Sequence, residues 1–230
     1  MISMATLCLF FRVTAQVAIP ANVLKPLRIG EQAPALSLRN VHNYQTDKIE
    51  LDKLGAKLII IDFWATWCTS CLANFPKLEE LQGQFKDKVQ FLSVTYQQKA
   101  LVIPFLKKFH KGKTSAIPVL TDDVKLHQLF PHKGIPHYVW LDGTGKLLAT
   151  TSGKQVNADN IQKMLSDNKT SLKLKIDLDD SKPMFIDTAL LKYNVINHYS
   201  LLFRNAYDGL GTGVMVMEFH NINSNLQFCV

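Results

Sequence analysis

A seven-residue run that is apolar but for one acid, Leu58-Ile59-Ile60-Ile61-Asp62-Phe63-Trp64, leads within four positions into Cys68-Thr69-Ser70-Cys71. Short, continuous, β-branched runs of this kind read as strands buried on both faces. Beyond them Leu72, Phe75, Leu78, Leu81 and Phe85 recur at helical spacing. The two cysteines therefore fall at a strand-to-helix turn, with Cys68 at the helix N-terminus. Unpaired N–H groups and the helix dipole favour a thiolate there and lower the thiol pKa. A thiolate with a second thiol one turn away is the minimum apparatus for thiol–disulfide exchange.

Two other readings of the pair compete. Half of a zinc site would need further ligands, yet the chain has no second CxxC and no closely spaced histidine pair. Cys8 and Cys229 stand alone near the two ends. A purely structural disulfide would need neither the flanking tryptophans nor Asp62. Redox chemistry is the reading these neighbours favour.

The neighbours also carry a family resemblance. Ile61-Asp62-Phe63-Trp64-Ala65-Thr66-Trp67-Cys68 resembles the active-site strand of the thioredoxin superfamily, where an acid lies buried behind the cysteine pair. Pro76 falls eight residues after Cys68, where thioredoxins kink the same helix; an interior proline is costly enough to want such a reason. Gly134-Ile135-Pro136 precedes the strand-like Tyr138-Val139-Trp140-Leu141, at the place where the superfamily has a cis-proline. Within the superfamily the chain is similar to the TlpA/ResA group of envelope thiol–disulfide oxidoreductases, which share a redoxin (AhpC/TSA-type) domain. Gly30-Glu31-Gln32-Ala33-Pro34 resembles the opening segment of that group and of peroxiredoxins, and Phe75-Pro76-Lys77-Leu78 its continuation after the cysteines. Pro131-His132-Lys133-Gly134-Ile135-Pro136-His137 resembles a subgroup with a long C-terminal extension. The likeness covers residues 27–168 and the remainder only loosely. Thr69-Ser70 departs from the commoner Gly-Pro or Glu-Pro, so the direction of electron flow is not inherited from the family.

The resemblance implies a thioredoxin-like α/β fold, a three-layer α/β/α sandwich with a central mixed sheet, plus a small C-terminal extension. It implies Cys68 as the exposed nucleophile and Cys71, deeper in the first helical turn, as the resolving thiol. Asp62 would relay a proton to or from Cys71, because burial raises a carboxyl pKa toward neutrality. Trp67, Ile135 and Pro136 would shape the substrate groove, with Trp67 on its rim and Trp64 packed inside. His132 and His137 bracket the proline loop, and either could tune the Cys68 thiolate by its own charge near neutral pH. His42, His110, His127, His198 and His220 show no ligand spacing. No cofactor beyond the Cys68–Cys71 redox disulfide and no metal is expected. Partners would be protein thiols or disulfides and an upstream electron-donating thiol protein. The rival chemistry is a peroxiredoxin-like antioxidant peroxidase, but Ala65 stands where that pattern has a threonine three residues before the thiol. A second rival is a non-catalytic partner-binding module on the same scaffold.

Composition agrees. With 47% hydrophobic residues, 230 residues can bury a core without a disulfide framework. The net charge of +7 is spread along the chain. Its densest cluster, Lys107-Lys108-Phe109-His110-Lys111-Gly112-Lys113, reads as the solvated end of a helix, where cations complement the dipole. No nucleic-acid motif accompanies it.

Three parts follow. Residues 1–21 are signal-like: apolar from Ile2 to Phe11 apart from Ser3 and Thr6, interrupted by Arg12, then ending in small residues. Export to the periplasm or cell envelope of a bacterium is the expectation, with membrane contact only through an uncleaved segment. Cys8 follows Leu7 rather than a small residue, which argues against lipidation. Residues 22–168 form the redox domain. Strands are expected at 35–38, 58–64, 89–94, 118–120, 138–141 and 146–150, with helices after the cysteines, at 102–109, as a turn in 122–129, and around Ile161, Met164 and Leu165. Asp142-Gly143-Thr144-Gly145 marks a hairpin turn. Residues 169–230 are an extension and a candidate for an incomplete domain. There Leu172, Leu174, Ile176 and Leu178 alternate with charged residues as in a half-buried strand. Helical or mixed segments are expected near Leu190-Leu191 and 199–203, a linker at 209–213 and a strand at 214–219. The redox elements are complete before this tail, so residues 170–230 are expected to be dispensable for the redox chemistry but not for solubility or partner choice.

Overall fold

A computed structural model of the chain describes residues 24–167, 172–175 and 177, together with the backbone of three strands within 198–229. The signal-like segment 1–21 lies outside the described residues, as do Leu190-Leu191 and 209–213.

The central sheet has six strands in the order β2-β6-β5-β4-β7-β8. In chain order these are β2 (Val41–His42), β4 (Leu58–Phe63), β5 (Val89–Val94), β6 (Val119–Leu120), β7 (His137–Asp142) and β8 (Leu147–Thr151). β4, β5 and β6 run parallel, while β2, β7 and β8 are antiparallel to their neighbours. The chain thus lays down a βαβ unit and then a ββα unit, as the thioredoxin resemblance implies. β1 (Ser37–Arg39) and β3 (Lys48–Glu50) form a separate antiparallel pair. β1 starts two residues later than expected. β2 and β3 were not anticipated, because two or three residues are too few to show a period.

β4 explains the layering. Alternate side chains of a strand face opposite ways, and both faces of this one are buried. Leu58, Ile60 and Trp64 join a core with Phe75, Leu78 and Leu81 of α1 (Thr69–Gln84), Val102 and Leu106 of α2 (Lys99–Phe109), and Ile161 and Met164 of α4 (Ala158–Asp167). Ile59, Ile61 and Phe63 join the opposite core, closed by Leu126 and Leu129 of α3 (Lys125–Leu129) and by Leu38, Ile49 and Leu51. Helices cover both faces of the mixed sheet, so the fold is the expected thioredoxin-like α/β sandwich. Pro76 sits inside α1, and Lys107 and Lys108 occupy the last turn of α2. At the β7–β8 hairpin, Asp142 Oδ1 accepts from the Thr144 and Lys146 amides at 2.8 and 3.0 Å, and Gly145 takes φ +91°. That conformation is readily open only to glycine.

The extension departs from its sequence pattern. Leu172 is buried, but Leu174 is 42% exposed and makes only an isolated bridge to Thr151. The charged Lys175 turns inward instead, with its side chain 5% exposed. Ile176 and Leu178 lie outside the described residues. Farther on, β9 (His198–Phe203), β10 (Met215–Ile222) and β11 (Asn225–Cys229) pair antiparallel in the order β11-β10-β9. The segment near 199–203 is therefore a strand, since its backbone groups pair with β10 rather than along a helix. β11 was not foreseen.

Candidate active site

Cys68 is the N-cap of α1, and its Sγ accepts from the Cys71 amide at 3.2 Å. The Ser70 hydroxyl stands 3.5 Å from the same sulfur. Both interactions favour negative charge on Cys68 once the pair is reduced. In the structure the two cysteines are joined, with an S–S distance of 2.02 Å. Cys68 is 5% exposed and Cys71 0%. The order of access agrees with the expected roles, but in this disulfide Cys68 is buried rather than exposed.

The residues before the helix are clamped from β5's side. Gln97 Oε1 accepts from the Thr66 amide at 2.7 Å, and Gln97 Nε2 donates to the Thr66 hydroxyl at 3.1 Å. Trp67, 64% exposed, donates through Nε1 to the Tyr96 hydroxyl at 3.0 Å. Trp67 is thus a rim aromatic and Trp64 a core residue, as expected. Neither Gln97 nor Tyr96 carried a sequence signal, because their partners lie some thirty residues away.

Asp62 follows Leu58 and Ile60 at even spacing on β4, so it faces the core that contains both cysteines. It is fully buried, and neither carboxyl oxygen makes a hydrogen bond of normal geometry among the described residues. Its cross-strand neighbours are Ser93 and Tyr138. Burial pushes its pKa up to about 7, against smaller opposing effects of the Tyr138 and Ser93 hydroxyls and the Lys77 ammonium. The Tyr138 phenol is itself raised by burial and by the carboxyl. Lys77, on α1, donates to the Gly153 carbonyl at 2.9 Å, and burial lowers its pKa. A Cβ at Gly153 would stand 2.9 Å from Asn74 Nδ2 and 3.3 Å from the Tyr138 ring, so glycine lets helix and sheet close around the acid. Lys77, Tyr138 and Ser93, like Gln97 and Tyr96, are site residues that sequence reasoning missed.

The Ile135–Pro136 bond is cis, as expected from its position. Phe63 pairs with His137, which brings Pro136 level with the end of β4. A shallow groove of about 130 Å³ runs between Trp67, Tyr96, Phe63, His127, His132 and Ile135. Of the three expected groove residues, Trp67 and Ile135 line it; Pro136 stands beside it in the chain.

The histidines require a correction. His132 stacks on His137 at 4.5 Å and meets Phe63 at a tilt at 4.5 Å, with His127 edge-on to His132 at 4.6 Å. Phe63 faces the core opposite to Asp62. Burial holds His132 down to about 4, offset in part by its bond to the Phe130 carbonyl. Burial, then His132 and Lys175, hold His137 down to about 2. Both rings are neutral near pH 7, so neither tunes Cys68 by a charge of its own there. Among the described residues no group of three or more His, Cys, Asp or Glu side chains is placed to hold a metal ion.

A CxxC disulfide capping a helix, a buried carboxyl facing the same core and a cis-proline loop on this sheet define a thiol–disulfide oxidoreductase of the thioredoxin fold. Residues 29–147 match the AhpC/TSA family, and the chain belongs to it. Curated relatives agree. The chain is 25% identical over 135 residues to the thioredoxin-like protein YneN of Bacillus subtilis, across 59% of this chain and 78% of that one. It is 27% identical over 131 residues to the thiol-disulfide oxidoreductase ResA of Bacillus cereus, across 56% and 72%. A Chlorobium tepidum crystal structure assigned as a thiol:disulfide interchange protein DsbE aligns with a TM-score of 0.50 at 25% identity, covering 60% of this chain and 99% of that one.

Proposed function

We propose that this oxidoreductase works in the bacterial cell envelope as a reductase of protein disulfides. The observation that carries the exchange chemistry of this reading is Asp62, buried and poised near pH 7 on the face of the sheet that holds the cysteine pair. In the dithiol state the Cys68 thiolate attacks a substrate disulfide, forming a mixed disulfide and releasing one substrate thiolate. Asp62 takes the proton from Cys71, whose thiolate attacks the Cys68 sulfur. The Cys68–Cys71 disulfide closes and the second substrate thiol leaves, so two electrons pass to the substrate. An upstream thiol protein returns them. No cofactor or metal enters this cycle. Trp67, Ile135 and Pro136 shape the surface on which the substrate backbone docks.

The signal-like residues 1–21 support export, and the relatives named ResA and DsbE support an envelope role. In this reading 22–168 carry the chemistry and 169–230 form an added unit. Purified protein should reduce insulin with dithiothreitol, and Cys68→Ser should abolish that turnover. A reduction potential nearer to thioredoxin's, about −270 mV, than to that of DsbA, about −120 mV, supports the reductase direction. A value near the latter would make it an oxidase.

A further inference from the structure

The first described stretch of the extension is bonded to the loop that leads into Pro136. Leu172 packs into the core beside α4, and Lys175 N–H donates to the Thr150 carbonyl at 2.8 Å. With the Leu174–Thr151 bridge, these contacts lay the segment along β8, the edge of the sheet. From there Lys175 Nζ donates to the Gly134 carbonyl and stands 3.4 Å from His137 Nδ1. It also pairs with Asp177 Oδ1 at 3.2 Å, while Asp177 Oδ2 accepts from the Lys133 amide at 3.0 Å. The carbonyl of Gly134 and the N–H of Lys133 are thus both held by one ion pair.

Burying an ammonium is expensive unless it is paired and hydrogen-bonded, and here its partners are backbone of the proline loop and a carboxylate that holds the Lys133 amide of the same loop. A segment needed only to cover the apolar edge of β8 could do so with Leu174 turned inward and Lys175 in water. The reverse is found. We propose that residues 172–175 and 177 latch the loop before cis-Pro136, with Lys175 and Asp177 as positioning residues that set how tightly a substrate polypeptide docks. This rests on the reductase reading for its consequence, though not for its geometry. It leaves the redox chemistry to the elements before residue 168 and gives the extension a part in how substrate docks.

The test uses the full chain with Lys175→Met, Lys175→Arg and Asp177→Ala. Amide hydrogen exchange at Lys133, read by NMR, should quicken about tenfold or more in Lys175→Met and Asp177→Ala, the scale of a charge-assisted hydrogen bond. Exchange at Ile60 in β4 should stay unchanged. With insulin as substrate, KM should rise about fivefold at nearly constant kcat, the signature of lost docking rather than lost chemistry. Reduction of a small aromatic disulfide should hold within about twofold, since it needs no polypeptide groove, and Lys175→Arg should restore the insulin KM. Asp177→Ala changes a partly exposed side chain and keeps the test intact if Lys175→Met does not fold. Unchanged Lys133 exchange, or equal loss on insulin and the small disulfide with Ile60 exchange quickened, would overturn the latch. A wild-type protein without insulin turnover would remove the reductase reading alone, because Lys133 exchange would still decide whether the latch exists.

Discussion

Replacing Asp62 with asparagine should remove the pH dependence of stability that this one carboxyl imposes. An aspartate has a pKa of 3.8 in the unfolded chain, and burial in the fold raises this one to about 7. Between those values the native state keeps a proton that the unfolded chain has released, so the native state binds more protons and stability falls as pH rises. The stabilising contribution is whole below pH 3.8, declines as the pH climbs, and is gone above about 7. At about 1.4 kcal/mol for each pH unit, that shift amounts to ~4 kcal/mol. Asp62 is fully buried, so no solvent screening reduces the figure. Asparagine has nearly the same shape and does not titrate. Urea unfolding of the oxidised protein at pH 4 and pH 8.5 should therefore show the advantage of Asp62→Asn growing by ~4 kcal/mol, about 2 M in the midpoint for an ordinary urea slope. Other titrating groups cancel in the difference between the two proteins, provided they do not couple to residue 62. A difference that stays flat across this range would mean that Asp62 ionises normally, and the proton-relay role would fall with it.

Cys71→Ser should accumulate a mixed disulfide through Cys68 on exposure to a protein disulfide, visible as a reducible mass adduct, because the attacking thiol survives and the resolving one is gone. If the adduct forms on no cysteine, or Cys71 proves the faster thiol to alkylate in the wild type, the assigned order is wrong. Gln97→Ala leaves the Thr66 amide without its acceptor and should destabilise the protein by about 1–3 kcal/mol in calorimetry, with slower insulin reduction. Leu78→Ala opens the core between α1 and β4 and should cost about 2–5 kcal/mol while leaving the pH dependence of the Asp62→Asn comparison intact.

What could be read in the sequence is what short-range pattern controls. β4 and β5 are legible as short, mostly apolar β-branched runs, and the helix after Cys68 by the helical spacing of its apolar residues. Asp62 stood out as the single acid in a run otherwise buried on both faces, and the parity of β4 separates Trp64 from the rim. The histidines were misjudged because adjacency to the proline loop says nothing about which core a ring enters; Phe63 draws His132 and His137 into the layer away from Asp62. Lys77 and Tyr138 were missed for the same reason, since each meets Asp62 only through sheet register and helix packing. Residues 172–175 and 177 show the limit most clearly. Their alternation of leucines and charges describes a strand that should bury Leu174, and local hydrophobicity would choose that arrangement. The opposite one holds because Lys175 finds the Gly134 carbonyl 41 residues away, and Asp177 meets the Lys133 amide across 44. A periodicity reports what a strand prefers in isolation. A buried ion pair reports what the rest of the fold offers it, and at this edge of the sheet the second outweighs the first.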